Sequence, residues 1–100
     1  MAMEKGIVQK NRQRGLSNEE ARALMDSGQA LLIDVREHAE FKAEAISGAL
    51  SHPLSTFEFE TLQVFMGKRV PIFYCRTGIR SEEALQRWLK EGRDGFHLAE

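Results

Sequence analysis

The sequence predicts an α/β domain built on a parallel-type sheet. Residues 31–35, LLIDV, and 70–74, VPIFY, are short apolar runs of the kind parallel strands show when both faces are covered. Around them lie segments with apolar residues at helical spacing, so strand and helix alternate at short intervals. A third observation points to function: the single cysteine, Cys75, follows the second run directly. In open α/β sheets the functional loops gather at the carboxyl ends of the strands.

Taken in order, residues 1–15 read as an N-terminal arm with a short strand at 6–9, and the domain proper is expected over 16–100. Ser17-Asn18-Glu19-Glu20 fits a capping box, with Ser17 as cap and Glu20 reaching back. Ala21, Leu24 and Met25 follow at helical spacing, and Gly28 ends that helix. Residues 31–35 form a buried strand carrying one acid, Asp34. Residues 37–45 suit a short helix, and 48–53 a short strand closed by Pro53. Ser55 and Glu58 suggest a second capping box before a helix that ends near Gly67. After the strand at 70–74, SEEALQRWLKEG places Ala84, Leu85, Trp88 and Leu89 on one face, so Trp88 reads as core. Gly92 stops that helix and residues 96–98 form a last strand.

The chain has 100 residues, enough for one domain. Its formal net charge of −1 gives no reason to expect nucleic acid or an acidic membrane as partner. The apolar runs are too short to span a bilayer, and the basic N-terminus has no apolar h-region, so a cytoplasmic location is expected. One cysteine excludes an internal disulfide, a Cys-rich zinc site and an internal resolving thiol. His38, His52 and His97 show no metal-ligand spacing and are expected at the surface or in packing. No cofactor is expected.

The stretch FYCRTGIRSEEA, residues 73–84, leads from a strand end into a helix mouth, where unpaired N–H groups and the helix dipole favour an anion. Such a setting with nearby cations lowers a thiol pKa from about 8.5 by one to several units. Gly78 permits a positive φ that lets successive N–H groups curl into a nest. Arg76 and Arg80 add charge, and Ser81 can cap the helix or donate to an anion. Cys75 therefore reads as a nucleophile in an oxyanion cradle. The competing reading is a buried packing cysteine. Two chemistries fit a reactive Cys75: sulfur transfer through a persulfide and phosphoryl transfer through a cysteinyl phosphate. Protein-tyrosine-type phosphatase loops run Cys-x5-Arg; Cys75 to Arg80 is one residue shorter. No Asp within a dozen residues offers itself as general acid.

Three motifs in this order resemble the rhodanese-like sulfurtransferases in their single-domain form. CRTGIRS, 75–81, is similar to that family's six-residue active-site loop. LLIDVREHAEF, 31–41, resembles its D-x-R-x-x-x-E-F/Y stretch through Asp34, Arg36, Glu40 and Phe41. AISGALSHPLS, 45–55, resembles its H-I-P-G-A segment, with Ala45 and Ser47 where His and Pro are usual. The resemblance implies a rhodanese-like fold with helices on both faces of the sheet. The family's Gly-Gly and Trp-bearing last helix do not follow FHLAE, so the expectation allows for a missing final helix and an uncovered sheet face. It also implies that Cys75 carries the persulfide, that the backbone of Arg76, Thr77, Gly78, Ile79 and Arg80 holds it, and that Arg76 and Arg80 help bind an anionic donor.

Asp34 and Arg36 fall at the same sheet edge as Cys75. They support the cradle from behind, or else Asp34 caps the 37–45 helix while Arg36 pairs with an acid such as Glu40. The expected function is sulfur transfer from thiosulfate or a low-molecular-weight persulfide to a thiol or cyanide. The expected partners are a small sulfur donor, a thiol acceptor and a sulfur-relay protein. The alternatives are a small cysteine-dependent phosphatase and a catalytically silent interaction module.

Overall fold

Residues 14–99 are described by the computed structural model, so the strand expected at residues 6–9 lies outside the described residues. Five strands form one sheet: β1 (Gly15–Leu16), β2 (Ala30–Asp34), β3 (Leu50–Ser51), β4 (Val70–Tyr74) and β5 (Phe96–Leu98). Their spatial order is β1-β5-β4-β2-β3, and every pairing is parallel. Four helices connect them: α1 (Asn18–Asp26), α2 (His38–Ala43), α3 (Phe59–Met66) and α4 (Ile79–Lys90). The first strand begins at Gly15, one residue inside the expected arm.

Alternation along the strands creates two cores. Ile33, Phe73 and Cys75 bury one face against Leu62 and Met66 of α3 and Ala84, Leu85 and Trp88 of α4. Leu16, Leu32, Ile72, Phe96 and Leu98 bury the other face with Ala21, Leu24 and Met25 of α1. Both faces are thus covered, and the expectation of an uncovered face is corrected. Trp88 is a core residue as expected: its ring meets Phe73 edge-on at 5.9 Å, and its Nε1 donates to the Asp94 carbonyl at 2.7 Å. That ring pair is worth about 0.5–1.5 kcal/mol beyond its buried area.

Two local expectations fail for physical reasons. Ser17 caps α1 with Glu20 reaching back, as its pattern predicts. Ser55 does not repeat the motif, because residues 54–56 wind into a 3₁₀ turn and Glu58 occupies the cap position of α3. The Ser55 hydroxyl donates instead to Glu37 Oε1 at 3.2 Å. The last helix starts at Ile79, inside the expected loop, because Gly78 takes the cap position with φ +89°.

The strand order reverses between β2 and β4. From β2 the chain runs outward to β3, and from β4 it runs outward to β5 on the other side, beyond which β1 forms the edge. Such a switch point opens a crevice at the carboxyl ends of the strands. Asp34 and Tyr74 are paired in register at that end, so Val35 and Cys75 leave the sheet side by side, with Arg36 one residue further on.

Candidate active site

Cys75 is 3% exposed, yet it forms the floor of an open cavity of about 260 Å³. One wall is the loop 76–79 with Glu82; the other is residues 97–99 at the end of β5. The thiol sulfur accepts the backbone N–H of Gly78 at 3.1 Å and of Ser81 at 3.3 Å, and it lies 3.7 Å from Ser81 Oγ. Burial pushes the thiol up, but the Ser81 N–H, the Ser81 hydroxyl and the N–H groups of Gly78 and Arg80 outweigh it and leave the thiol below its ordinary value. The sulfur therefore sits where the unpaired N–H groups of α4 converge.

Ser81 is buried and does not cap α4. Its hydroxyl donates to the Gly78 carbonyl at 3.1 Å, which ties the first helical turn back onto the loop. The positive φ of Gly78 is what lets the loop fold under the sulfur, and a Cβ there would meet no atom within 4 Å. Gly78→Ala is therefore opposed by backbone strain alone, about 1–2 kcal/mol. Urea unfolding should show that loss. Alkylation of Cys75 should need higher pH as the Gly78 N–H turns away; an unchanged alkylation profile would detach Gly78 from the cradle.

Arg80 does not point a free fork at Cys75. Its NH1 and NH2 donate to Glu40 Oε1 and Oε2 at 3.0 and 3.3 Å, so α4 is pinned to α2. Glu40 also accepts the Glu37 N–H at 2.8 Å. The hydrogen bond from Arg80, then that from Glu37, holds the Glu40 carboxyl at about 2 instead of the usual 4.5. A lowered folded-state pKa stabilises the fold above the unfolded value, and the gain is lost as pH falls toward the folded one. Glu40→Gln should therefore melt below the wild type at pH 7, with the gap closing between pH 4.5 and about 2. A gap that persists at pH 2 would show that the pair is not its source.

Arg36 also departs from expectation. Its partner is Asp34, not Glu40: Nε and NH2 reach the Asp34 carboxylate at 3.0 and 2.8 Å, with both residues buried. A further NH2 contact reaches the Glu44 carbonyl at the end of α2 at 2.6 Å, and the guanidinium lies 5.6 Å over the Tyr74 ring. Asp34 does not cap α2, whose cap is Glu37; it accepts the Arg36 N–H at 3.0 Å. Arg76 makes no hydrogen bond or ion pair among the described residues and lines the Cys75 cavity, as do the exposed Thr77 and Ile79.

Four cavity residues were not among the sequence candidates: Glu82, His97, Leu98 and Ala99. The usable signal was topological. A last strand of a parallel sheet ends at the same edge as the strand before Cys75, so its terminal residues face the same crevice.

A cysteine hung on backbone donors at a helix mouth, at the switch point of a parallel sheet, defines an α/β domain whose cysteine is a candidate nucleophile. A family model described as a rhodanese-like domain matches residues 17–100, and the chain belongs to that family. Among curated proteins it is similar to a tRNA uridine(34) hydroxylase of Escherichia coli O1:K1, 34% identical over 84 residues. That match covers 78% of this chain but 23% of the relative, so the chain spans under a quarter of the curated relatives it matches. Among solved structures it is similar to the human single-domain sulfurtransferase TSTD1, with TM-score 0.70 and 30% identity, covering 86% of this chain and 88% of that one. The Saccharomyces cerevisiae single-domain sulfurtransferase RDL2 shares the fold at TM-score 0.65 and 18% identity, covering 86% and 82%.

Proposed function

We propose that this domain is a sulfurtransferase that carries sulfane sulfur as a persulfide on Cys75. The observation that carries the reading is the cradle: a depressed thiol held by N–H donors beneath an open cavity. The Cys75 thiolate attacks the outer sulfur of thiosulfate, the S–S bond of the donor breaks, and sulfite leaves with the electron pair. A low-molecular-weight persulfide serves in the same way, with its thiolate leaving. A thiol or cyanide then attacks the outer sulfur on Cys75, and Cys75 departs as the thiolate the cradle stabilises. The likeness to TSTD1 across most of both chains supports this reading.

The geometry gives the phosphatase alternative little support. The fork of Arg80 is engaged by Glu40 rather than free for phosphate. Incubation with thiosulfate should add one sulfur atom to the intact mass. Dithiothreitol or cyanide should remove it, and Cys75→Ala should abolish the gain. An unmodified mass under saturating donor, with the thiol shown to be reduced, would favour the silent interaction module. Measurable hydrolysis of aryl phosphates would favour the phosphatase.

A second reading comes from the hydroxylase relatives: the domain works within a larger tRNA-modifying enzyme. The net charge of −1 then assigns RNA contact to other parts of such a protein. Absence of tRNA binding by this chain is expected under both readings, and the thiosulfate mass shift is the test of what the domain itself does.

A further inference from the structure

Two opposite charges line the cavity above Cys75. Arg76 enters from the loop and Glu82 from the first turn of α4. Both side chains are exposed, and neither makes a hydrogen bond or ion pair among the described residues, so they do not close on each other. The neighbouring charges are engaged: the Arg80 fork by Glu40, and Glu83 by Arg87 at 2.7 Å. A first-turn acid suits the helix dipole, and Glu82 and Glu83 serve that equally. Glu82 alone of the two also lines the cavity. There it works against the anions of the reaction, because a carboxylate near the sulfur disfavours the Cys75 thiolate and repels thiosulfate. A bound cation turns that repulsion into attraction. The cavity volume of about 260 Å³ lies below the roughly 300–1,000 Å³ of sites for drug-sized ligands, so its occupant is small.

We propose that the acceptor seated here is a small zwitterionic aminothiol of the cysteine class, with its carboxylate on Arg76 and its ammonium on Glu82. The inference rests on the persulfide reading above and names the acceptor. The two charges of the ligand meet the two unpaired side chains, and its sulfur is left over Cys75 on the cavity floor. The acceptor gives its thiol proton to water and attacks as thiolate. Its sulfur bonds to the outer sulfur of Cys75–S–SH, and the bond between that sulfur and Sγ breaks. Cys75 leaves as thiolate with the electron pair, and the acceptor leaves as a persulfide, R–S–SH. No net oxidant or reductant is needed, because the sulfane sulfur changes only its partner. A thiol bearing only a carboxylate meets Glu82 as a like charge, and one bearing only an ammonium meets Arg76 so. The zwitterion satisfies both, which makes the pair a selectivity device.

The test measures single-turnover discharge to four thiols: cysteine, cysteamine, 3-mercaptopropionate and 2-mercaptoethanol. Each protein is loaded with thiosulfate until the intact mass shows one added sulfur, then freed of donor. Every rate is divided by that for 2-mercaptoethanol and compared between proteins, so the acidities of the thiols themselves cancel. Glu82→Gln should lower the ratios for cysteine and cysteamine about tenfold and leave that for 3-mercaptopropionate undiminished. Arg76→Ala should lower those for cysteine and 3-mercaptopropionate about tenfold and leave that for cysteamine undiminished. Glu82→Lys, at an exposed position, should raise the ratio for 3-mercaptopropionate while lowering that for cysteamine. Ratios that move alike for all three charged thiols in either variant, or no loss for cysteine in Glu82→Gln, would overturn the assignment. Failure of the wild type to load sulfur removes the persulfide reading and this inference with it, and is recognised before any discharge is measured.

Discussion

Asp34→Ala is expected to cost about 3–5 kcal/mol of folding stability, the largest single loss among the site residues. The carboxylate is fully buried and takes three contacts from the Arg36 side chain together with its backbone N–H. Truncation strands the Arg36 guanidinium in the protein interior without its carboxylate partner, beside the Glu44 carbonyl and the Tyr74 ring. Domains of this size have total stabilities of about 5–15 kcal/mol, so much of the margin goes. Replacing both partners with apolar residues, Asp34→Leu with Arg36→Met, should recover much of the loss, because the expense lies in the unpaired charge rather than in the missing attraction. Urea unfolding of the three variants tests this. A loss below about 1 kcal/mol for Asp34→Ala would mean that water reaches the pair.

Arg76 and Arg80 should separate sharply in kinetics with two donors. Arg76 is exposed, lines the cavity and has no hydrogen-bond or ion-pair partner among the described residues, so Arg76→Ala should raise KM for thiosulfate while leaving a neutral persulfide donor little changed. A charge-assisted contact of about 1.5–3 kcal/mol corresponds to roughly a ten- to hundredfold loss. Arg80→Ala should lower activity with both donors alike and lower the melting temperature, because its guanidinium braces α4 against Glu40. The opposite pattern, with donor selectivity at Arg80 and none at Arg76, would return Arg80 to the substrate site.

The frame of the fold was legible because its signals are local. Apolar runs mark β2 and β4, a reciprocal Ser-Glu pair caps α1, and a stripe of Ala84, Leu85 and Trp88 faces the core in α4. The cradle around Cys75 was legible for the same reason, since strand end, glycine and helix start are contiguous. What the sequence hid were pairings across distance. Arg80 and Glu40 stand 40 positions apart, and nothing in the local charge pattern pairs them. For Arg36 an acid such as Glu40 was one expected partner; the acid is Asp34, because the chain leaves β2 after Asp34 and the guanidinium folds back. His97 was passed over because a lone histidine carries no pattern until the sheet order is known.

The second helix has a distinctive energetic standing. None of its residues is buried, so the hydrophobic effect does little to hold it. Its anchors are polar: Arg80 on the Glu40 carboxylate and Arg36 on the Glu44 carbonyl. A segment so attached opens as its own unit, well before the core lets go. Its amides are therefore the ones to exchange with solvent by local opening, while those of β2 and β4 wait for global unfolding. The Arg80–Glu40 tie is half-exposed, so added salt screens it and speeds that opening. The orientation of the helix that follows Cys75 is in this way partly set by ionic strength, through six residues none of which is buried.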